Sequence, residues 1–250
     1  MGRHDHSILS RCLTLVVLVG LVIMFFHVTG LTPREVKDYI HVGTQKVKDN
    51  PPPSLISKKE AKDSISTAKA RAELEALPTK DAGSMRGYSR SQFGKAWTDV
   101  DDNGCDTRDD ILNRDMTDKT WVDSKHCRVK SGTLHDPYTG KTLHWKRGGR
   151  DVLVDIDHVV ALGNAWTSGA SDLPQSKRVA LANDPDNLLA VDGPANREKG
   201  EKEASKGMPD NDKFTCQYAS KQVQVKTKYR LWVTDAERSA LEDALDTCPA

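Results

Sequence analysis

Four cysteines downstream of an apolar N-terminal run restrict the possible folds of this chain more than any other feature. They are Cys105, Cys127, Cys216 and Cys248. The run covers residues 12–26 and follows Arg3 and Arg11, and this basic-then-apolar order is typical of export signals and of single membrane anchors. Either kind of segment places the later residues outside the cytoplasm, where thiols oxidise. We therefore expect an exported domain held together by disulfides.

The four cysteines allow three sets of pairs. We favour the pairs that are local in sequence, Cys105 with Cys127 and Cys216 with Cys248. Each would stabilise the fold by about 3 kcal/mol in the chain-entropy description. A zinc site of four thiolates is the alternative, but the sequence lacks the Cys-x-x-Cys pairs that such sites use.

The chain divides into three parts. Residues 1–31 form a cleaved signal peptide or a retained anchor, and only this segment would contact a membrane. Residues 32–84 are polar and contain Pro51-Pro52-Pro53, so we expect an extended linker with one short helix near residues 57–77. Residues 85–250 form the globular domain. The net charge of +1 excludes a polycation or an acidic tail, but not local basic patches.

The pattern of the globular part predicts an α+β fold with little sheet. Residues 152–160 and 188–191 are rich in β-branched and aliphatic side chains and predict two strands. Asp192 is a natural N-cap with Pro194 in the first turn, which predicts a helix towards residue 203. Further helices are expected over residues 89–97, 216–226 and 235–248, the last opened by Thr234 with Glu237 three residues later.

Polar side chains follow the two predicted strands and the helix. The first strand ends in Asp155, Asp157 and His158, and burial of such groups is costly unless they have partners or a function. Asn187 precedes the second strand, and Asn196 lies in the helix. A chain that folds as strand, loop, strand and helix would bring these side chains towards one cleft.

This ordered set resembles the HNH endonuclease motif, in which Asn196 stands where the family name implies histidine. The wider chain is similar to secreted actinobacterial HNH-family proteins, whose pattern also includes Tyr88-Ser89-Arg90 and Gly104-Cys-Asp-Thr-Arg108. The resemblance implies a ββα-metal core over about residues 152–203, embedded in a mostly helical, disulfide-stapled domain. It also implies hydrolysis of phosphodiester bonds.

The residue types suit that reaction. A neutral imidazole takes a proton from water at physiological pH, which makes His158 the expected general base. Asp157 and Asn196 supply oxygen ligands for one Mg²⁺, with Mn²⁺ as a substitute. By the resemblance, Asn187 orients His158 and holds the loop. Adjacent strand residues point to opposite faces, so Asp157 and His158 would share a site only if strand pairing loosens there.

Basic residues are expected to hold the substrate. Arg197 and Lys199 lie near the predicted helix start, where they would bind phosphates of the substrate. Residues 124–150 carry seven Lys and Arg against one Asp, and they include Lys146, Arg147 and Arg150. Tyr138 and Trp145 are interleaved with them and would stack on bases or sugars, while a solvated loop is the competing interpretation of this segment. DNA is the expected substrate, with RNA as a second one and with low sequence specificity, because phosphate contacts do not read sequence.

Two further alternatives remain at this stage. Residues 99–110 resemble half of an EF-hand calcium loop, but Asp110 replaces the usual Glu, and an acidic turn that caps the next helix is the competing interpretation. The whole domain would alternatively be a non-catalytic binding protein on the same scaffold. No protein partner follows from the sequence.

Overall fold

The computed structural model describes residues 58–149 and 153–249, which form a mixed fold of helices and strands with two disulfides. The helices are α1 (Lys58–Ala76), α2 (Thr107–Asp115), α3 (Leu162–Thr167), α4 (Gln175–Ala182), α5 (Gly193–Lys199), α6 (Ala204–Gly207), α7 (Asp212–Tyr229) and α8 (Asp235–Asp246). The strands are β1 (Met116–Trp121), β2 (Val129–His135), β3 (Thr142–Lys146), β4 (Val154–His158) and β5 (Leu188–Asp192). Short 3-10 turns occur at Arg90–Phe93, Ala170–Asp172 and Pro185–Asn187.

The first sheet is antiparallel with the order β1-β2-β3. It occupies most of the basic segment, where no strands were expected from the sequence, so this sheet was missed. β3 alternates between core and solvent, with Trp145 buried while its neighbours Lys146 and His144 are exposed. Polar residues dominate the outward face, which hides the strand period in the sequence.

The second sheet is the antiparallel pair of β4 and β5, and α5 follows β5 directly. Both predicted strands are present here, although β4 is shorter than expected and residues 151–152 are outside the described part. Asp192 caps α5 as predicted, because its side chain accepts a hydrogen bond from the Ala195 backbone N–H. α5 ends at Lys199, because Gly200 adopts a left-handed φ of 53°.

The packed region begins earlier than expected. In α1, Ala70 and Leu74 are buried, as is Leu77 just after the helix, and all three belong to the core cluster that includes Tyr218 of α7 and Leu241 of α8. The boundary predicted at residue 85 is therefore too late. The apolar spacing of the predicted helix reflects packing against the domain, although the linker composition pointed to a spacer.

Both predicted disulfides are present. Cys105 and Cys127 each lie two residues before an element, α2 and β2 respectively, with Cα atoms 5.5 Å apart. Cys216 and Cys248 join α7 to the chain end beyond α8, with Cα atoms 5.0 Å apart. The zinc-thiolate alternative is excluded by these pairs.

The helix expected over residues 89–97 is reduced to the single turn Arg90–Phe93, because Gly94 follows with a positive φ of 81°. α7 extends beyond both ends of the helix that was predicted from residues 216–226. Across residues 58–149 and 153–249, every helix is too short or too polar to cross a membrane. The signal or anchor predicted for residues 1–31 lies outside the described residues.

Candidate active site

The centre of the candidate site is the contact between β4 and α5. Asp155 and Asp157 lie two residues apart on β4 and therefore share one face of the sheet. Asn196 and Lys199 lie three residues apart on α5 and therefore share one face of the helix. Asn196 Nδ2 donates to Asp155 Oδ2 at 3.3 Å, and Lys199 Nζ donates to Asp157 Oδ1 at 3.1 Å. Each carboxylate of the strand thus has a partner on the helix.

The close approach of strand and helix depends on Gly193, the first residue of α5. A Cβ atom at this position would lie 3.0 Å from Leu153 Cβ and 3.2 Å from Asp155 Oδ2. A larger residue would push the helix away from β4, so glycine is required where α5 starts.

Asp157 is buried and already has two partners. Lys199 Nζ lies 3.0 Å from Asp157 Oδ2, and the Tyr138 hydroxyl donates to the same oxygen. Burial raises the pKa of Asp157, while Lys199 and Tyr138 act in the opposite direction. Lys199 also donates to the His158 carbonyl and is itself buried. The Lys199 ammonium neutralises Asp157 inside the fold. The expectation that Lys199 binds phosphate is therefore wrong.

His158 is buried with one ring nitrogen engaged. Its Nε2 lies 2.9 Å from the Ala182 carbonyl oxygen, which only accepts hydrogen bonds. Nε2 therefore carries the proton, and Nδ1 is the basic nitrogen. The pKa of His158 is lowered to about 4, mainly by burial and to a smaller extent by the nearby Arg90 and Lys199, while the hydrogen bond to Ala182 acts in the opposite direction. The imidazole is thus neutral at physiological pH.

Asn187 braces the chain that follows His158. Its Oδ1 accepts from the Val160 N–H at 2.8 Å, and its Nδ2 donates to the Val160 and Leu181 carbonyls at 3.3 Å each. The side chain is fully buried. These contacts join Asn187 to the chain after His158 and to the end of α4.

A cavity of about 260 Å³ opens on these residues. Asp157, His158 and Asn196 all line it, although β4 stays paired with β5 through His158 and Leu188. The two neighbours thus share the cavity without the loosened pairing that we expected, because the cavity lies at the end of the strand. Arg197 lines it as well and contacts Asp155 Oδ2 at 3.1 Å.

Two further charged residues of the cavity were missed as site residues by the sequence reasoning, namely Arg90 and Glu201. The Glu201 carboxylate accepts from the Gly163 N–H at 2.6 Å and from the Tyr88 hydroxyl at 2.9 Å, and it pairs with Arg90 at 3.4 Å. The only signal for this group was the Tyr88-Ser89-Arg90 segment of the family pattern. Its partner lies more than 100 residues later, so no local spacing could join them.

The donor set suits a hard divalent ion. Carboxylate and amide oxygens of Asp155, Asp157, Asn196 and Glu201 lie at or beside this cavity. Across the described residues, no three His, Cys, Asp or Glu side chains are grouped as a metal shell. An ion held here by one carboxylate and one amide would keep several water ligands, as Mg²⁺ commonly does.

The basic segment before β4 has two kinds of residue. Lys146 is exposed on β3 and remains a candidate for contact with phosphate. Arg147 instead pairs with the buried Asp109, and its Nε donates to the Val129 carbonyl at 2.7 Å. Arg150 lies outside the described residues.

The two aromatic rings of that segment do not stack on bases as expected. Tyr138 is 2% exposed and lies beneath Asp157, and Trp145 is 8% exposed with the Arg147 guanidinium over its ring. Both rings pack in the core: Trp145 lies on the inward face of β3, and Tyr138 lies in the turn between β2 and β3.

The acidic loop near residues 99–110 is closed by its own hydrogen bonds. Asn103 Nδ2 donates to Asp101 Oδ2 at 3.0 Å and to Asp110 Oδ1 at 3.1 Å. Asp106 caps α2 by accepting from the Asp109 N–H at 2.8 Å. These contacts are those of an acidic turn that opens a helix.

Comparison with known proteins places the chain in a family. Residues 106–243 match the family described as GmrSD restriction endonucleases, C-terminal domain. An uncharacterized secreted protein of Arthroderma benhamiae is 38% identical over 185 residues, which are 73% of this chain and 86% of that protein. No solved structure matches the chain significantly. The matched segment contains β4, β5 and α5 and covers more than half of the sequence, so the chain belongs to the family of the GmrSD restriction endonuclease C-terminal domain.

Proposed function

We propose that this protein is an exported, metal-dependent endonuclease of the HNH type that hydrolyses DNA with low sequence specificity. One observation carries the proposal: a neutral His158 with a defined tautomer shares a cavity with Asp157, Asn196 and two arginines. The order of β4, β5 and α5 supports a ββα core. The name of the secreted relative supports export.

The roles follow from the contacts. His158 accepts a proton from the attacking water, because its Nδ1 is unprotonated at physiological pH. Arg197 and Arg90 are exposed cations at the cavity, and they bind the phosphates of the substrate. Asn187 holds the chain after His158 in place. Asp157 and Asn196 would hold one divalent ion, preferably Mg²⁺, which stabilises negative charge on the phosphoryl oxygens when it is bound.

The second candidate function is a non-catalytic binding protein on the same scaffold. It is favoured by the contacts of Asp157, because Lys199 and Tyr138 already satisfy both of its oxygens. An ion at Asp157 would have to compete with the Lys199 ammonium. In a binding protein no ion would compete for Asp157, and the pair of Asp157 and Lys199 would only stabilise the fold.

A nicking assay on supercoiled plasmid separates the two functions. The exported chain is freed of metal and assayed with Mg²⁺, with Mn²⁺ and with excess EDTA. We expect cleavage only with an added ion, and we expect Asn196→Ala to need more Mn²⁺ for half-maximal activity. Asn103→Ala, a change in the exposed acidic turn, is the matched control and should behave as wild type. Undiminished cleavage in EDTA would overturn the metal requirement, and no cleavage with any ion would favour the binding protein.

A further inference from the structure

A second cavity of about 160 Å³ adjoins the candidate site. It shares Arg90, His158 and Leu162 with the first cavity, so the two meet at the proposed base. A single water needs only about 10–15 Å³ measured in this way. The second cavity therefore has room for a ligand the size of an aromatic ring.

The walls of this cavity are apolar and aromatic, with Phe93, Trp97, Leu162 and Ala182 among them. The Trp97 ring is half-buried and lies nearly parallel to the His158 ring, with centroids 6.2 Å apart and an angle of 13° between the planes. An aromatic wall next to a proposed base suits a planar ligand that is attached to the reacting phosphate.

The backbone around Trp97 is held in a conformation that fixes the position of this ring. Trp97 has a left-handed φ of 57°, which is rare for a bulky residue and needs support from its surroundings. Asn183 supplies support, because its Oδ1 accepts from the Thr98 N–H at 3.1 Å. Gly94 also has a positive φ, and a Cβ atom there would lie 2.6 Å from Val179 Cγ2. The loop therefore fits closely against α4.

The charge of the cavity suits an anion. Arg90 and Lys95 line it and are exposed, and none of the described residues that line it is acidic. Arg90 also lines the first cavity, so the same arginine borders both spaces. A nucleotide has this combination of an aromatic ring and a negative phosphate.

We propose that the second cavity is a subsite for one unstacked nucleobase of the substrate, next to the phosphate that is cleaved at His158. This inference rests on the proposed function and adds how the substrate is held: the nucleotide beside the cleaved phosphate has its base out of the stack, either in a single strand or flipped from a duplex. Base–aromatic stacking is tolerant of sequence, which agrees with the low specificity proposed above.

The test compares two small probes by calorimetry with the full exported chain. Thymidine 5′-monophosphate carries phosphate, sugar and base, whereas deoxyribose 5-phosphate lacks the base, and neither contains a diester to be cleaved. We expect the nucleotide to bind on the order of tenfold more tightly. Trp97→Ala should abolish this preference, and Trp97→Phe should retain part of it.

A second variant tests the subsite independently, in case Trp97→Ala disturbs the folding of its loop. Ala96 is exposed and lines the cavity, so Ala96→Phe should fill the space without disturbing the core. Ala82→Phe, also at an exposed alanine, is the matched control and should bind both probes as wild type does. Equal binding of the two probes by wild type, or a preference that survives Ala96→Phe, would overturn the subsite. A preference that disappears in Ala96→Phe supports the subsite even if the plasmid assay shows no cleavage, so the two proposals fail separately.

Discussion

The Lys199 ammonium lies 3.0 Å from Asp157 Oδ2, and both side chains are almost completely buried. This pair links α5 to the strand that carries the proposed base, since Lys199 also donates to the His158 carbonyl. A buried pair of this kind is costly to break from one side, because the remaining carboxylate keeps the Tyr138 hydrogen bond but no opposite charge.

Lys199→Met should therefore lower the free energy of unfolding by about 3–5 kcal/mol. Urea denaturation measures this change, and Lys206→Met at an exposed lysine is the control. Adding Asp157→Asn to Lys199→Met should recover part of the loss, because the unpaired charge is removed. If Lys199→Met is as stable as the control, the pair does not support the fold.

Arg147 and Lys146 should give opposite phenotypes although they are neighbours. Arg147→Ala leaves the buried Asp109 without its partner, so we expect a loss of about 2 kcal/mol in unfolding free energy. Lys146→Ala should leave stability unchanged and mainly raise KM, because its exposed ammonium would contact phosphate. Thermal unfolding and initial rates together distinguish the two variants. If Lys146→Ala lowers stability and Arg147→Ala only raises KM, the two roles are exchanged.

Arg90→Ala should raise KM for DNA and reduce the slope of log affinity against log salt by about one, as expected for one lost phosphate contact. The measurement is a salt titration of DNA binding. Arg86→Ala, at a nearby exposed arginine outside the lining of both cavities, is the matched control. The assignment of Arg90 fails if both variants change the slope equally.

Reduction of the two disulfides should destabilise the domain by about 3 kcal/mol for each closed loop. The double variants Cys105→Ser/Cys127→Ser and Cys216→Ser/Cys248→Ser separate the two contributions in urea titrations. Four free thiols found by mass mapping of exported protein would contradict both the pairs and the proposed export.

Sequence reasoning succeeded where a signal was local. The two disulfides join cysteines 22 and 32 residues apart, and these pairs were favoured because they are the most local in sequence. Strands β4 and β5 and the N-cap Asp192 were each predicted from a few consecutive residues. The same holds for Thr234, which caps α8 by accepting from the Glu237 N–H. Such features are determined by short-range geometry, so one sequence suffices to predict them.

The failures share a different cause. Arg90, Glu201 and Trp97 reach the site only through tertiary packing, and nothing in their spacing marks them as neighbours of His158. Lys199 was assigned from its charge, whereas its position one helical turn after Asn196 directs it to β4 and Asp157. Charge alone therefore did not separate residues that bind substrate from residues that neutralise a buried carboxylate.

The central claim is that His158 is the general base, and its replacement tests this most directly. Single-turnover cleavage of DNA is compared for wild type, His158→Ala and His135→Ala, which alters an exposed histidine on β2. We predict that His158→Ala lowers the rate by about 10²–10⁴-fold, with affinity for Mn²⁺ and DNA nearly unchanged, while His135→Ala cleaves as wild type. Full cleavage by His158→Ala, in a preparation cleared of contaminating nucleases, would contradict the account.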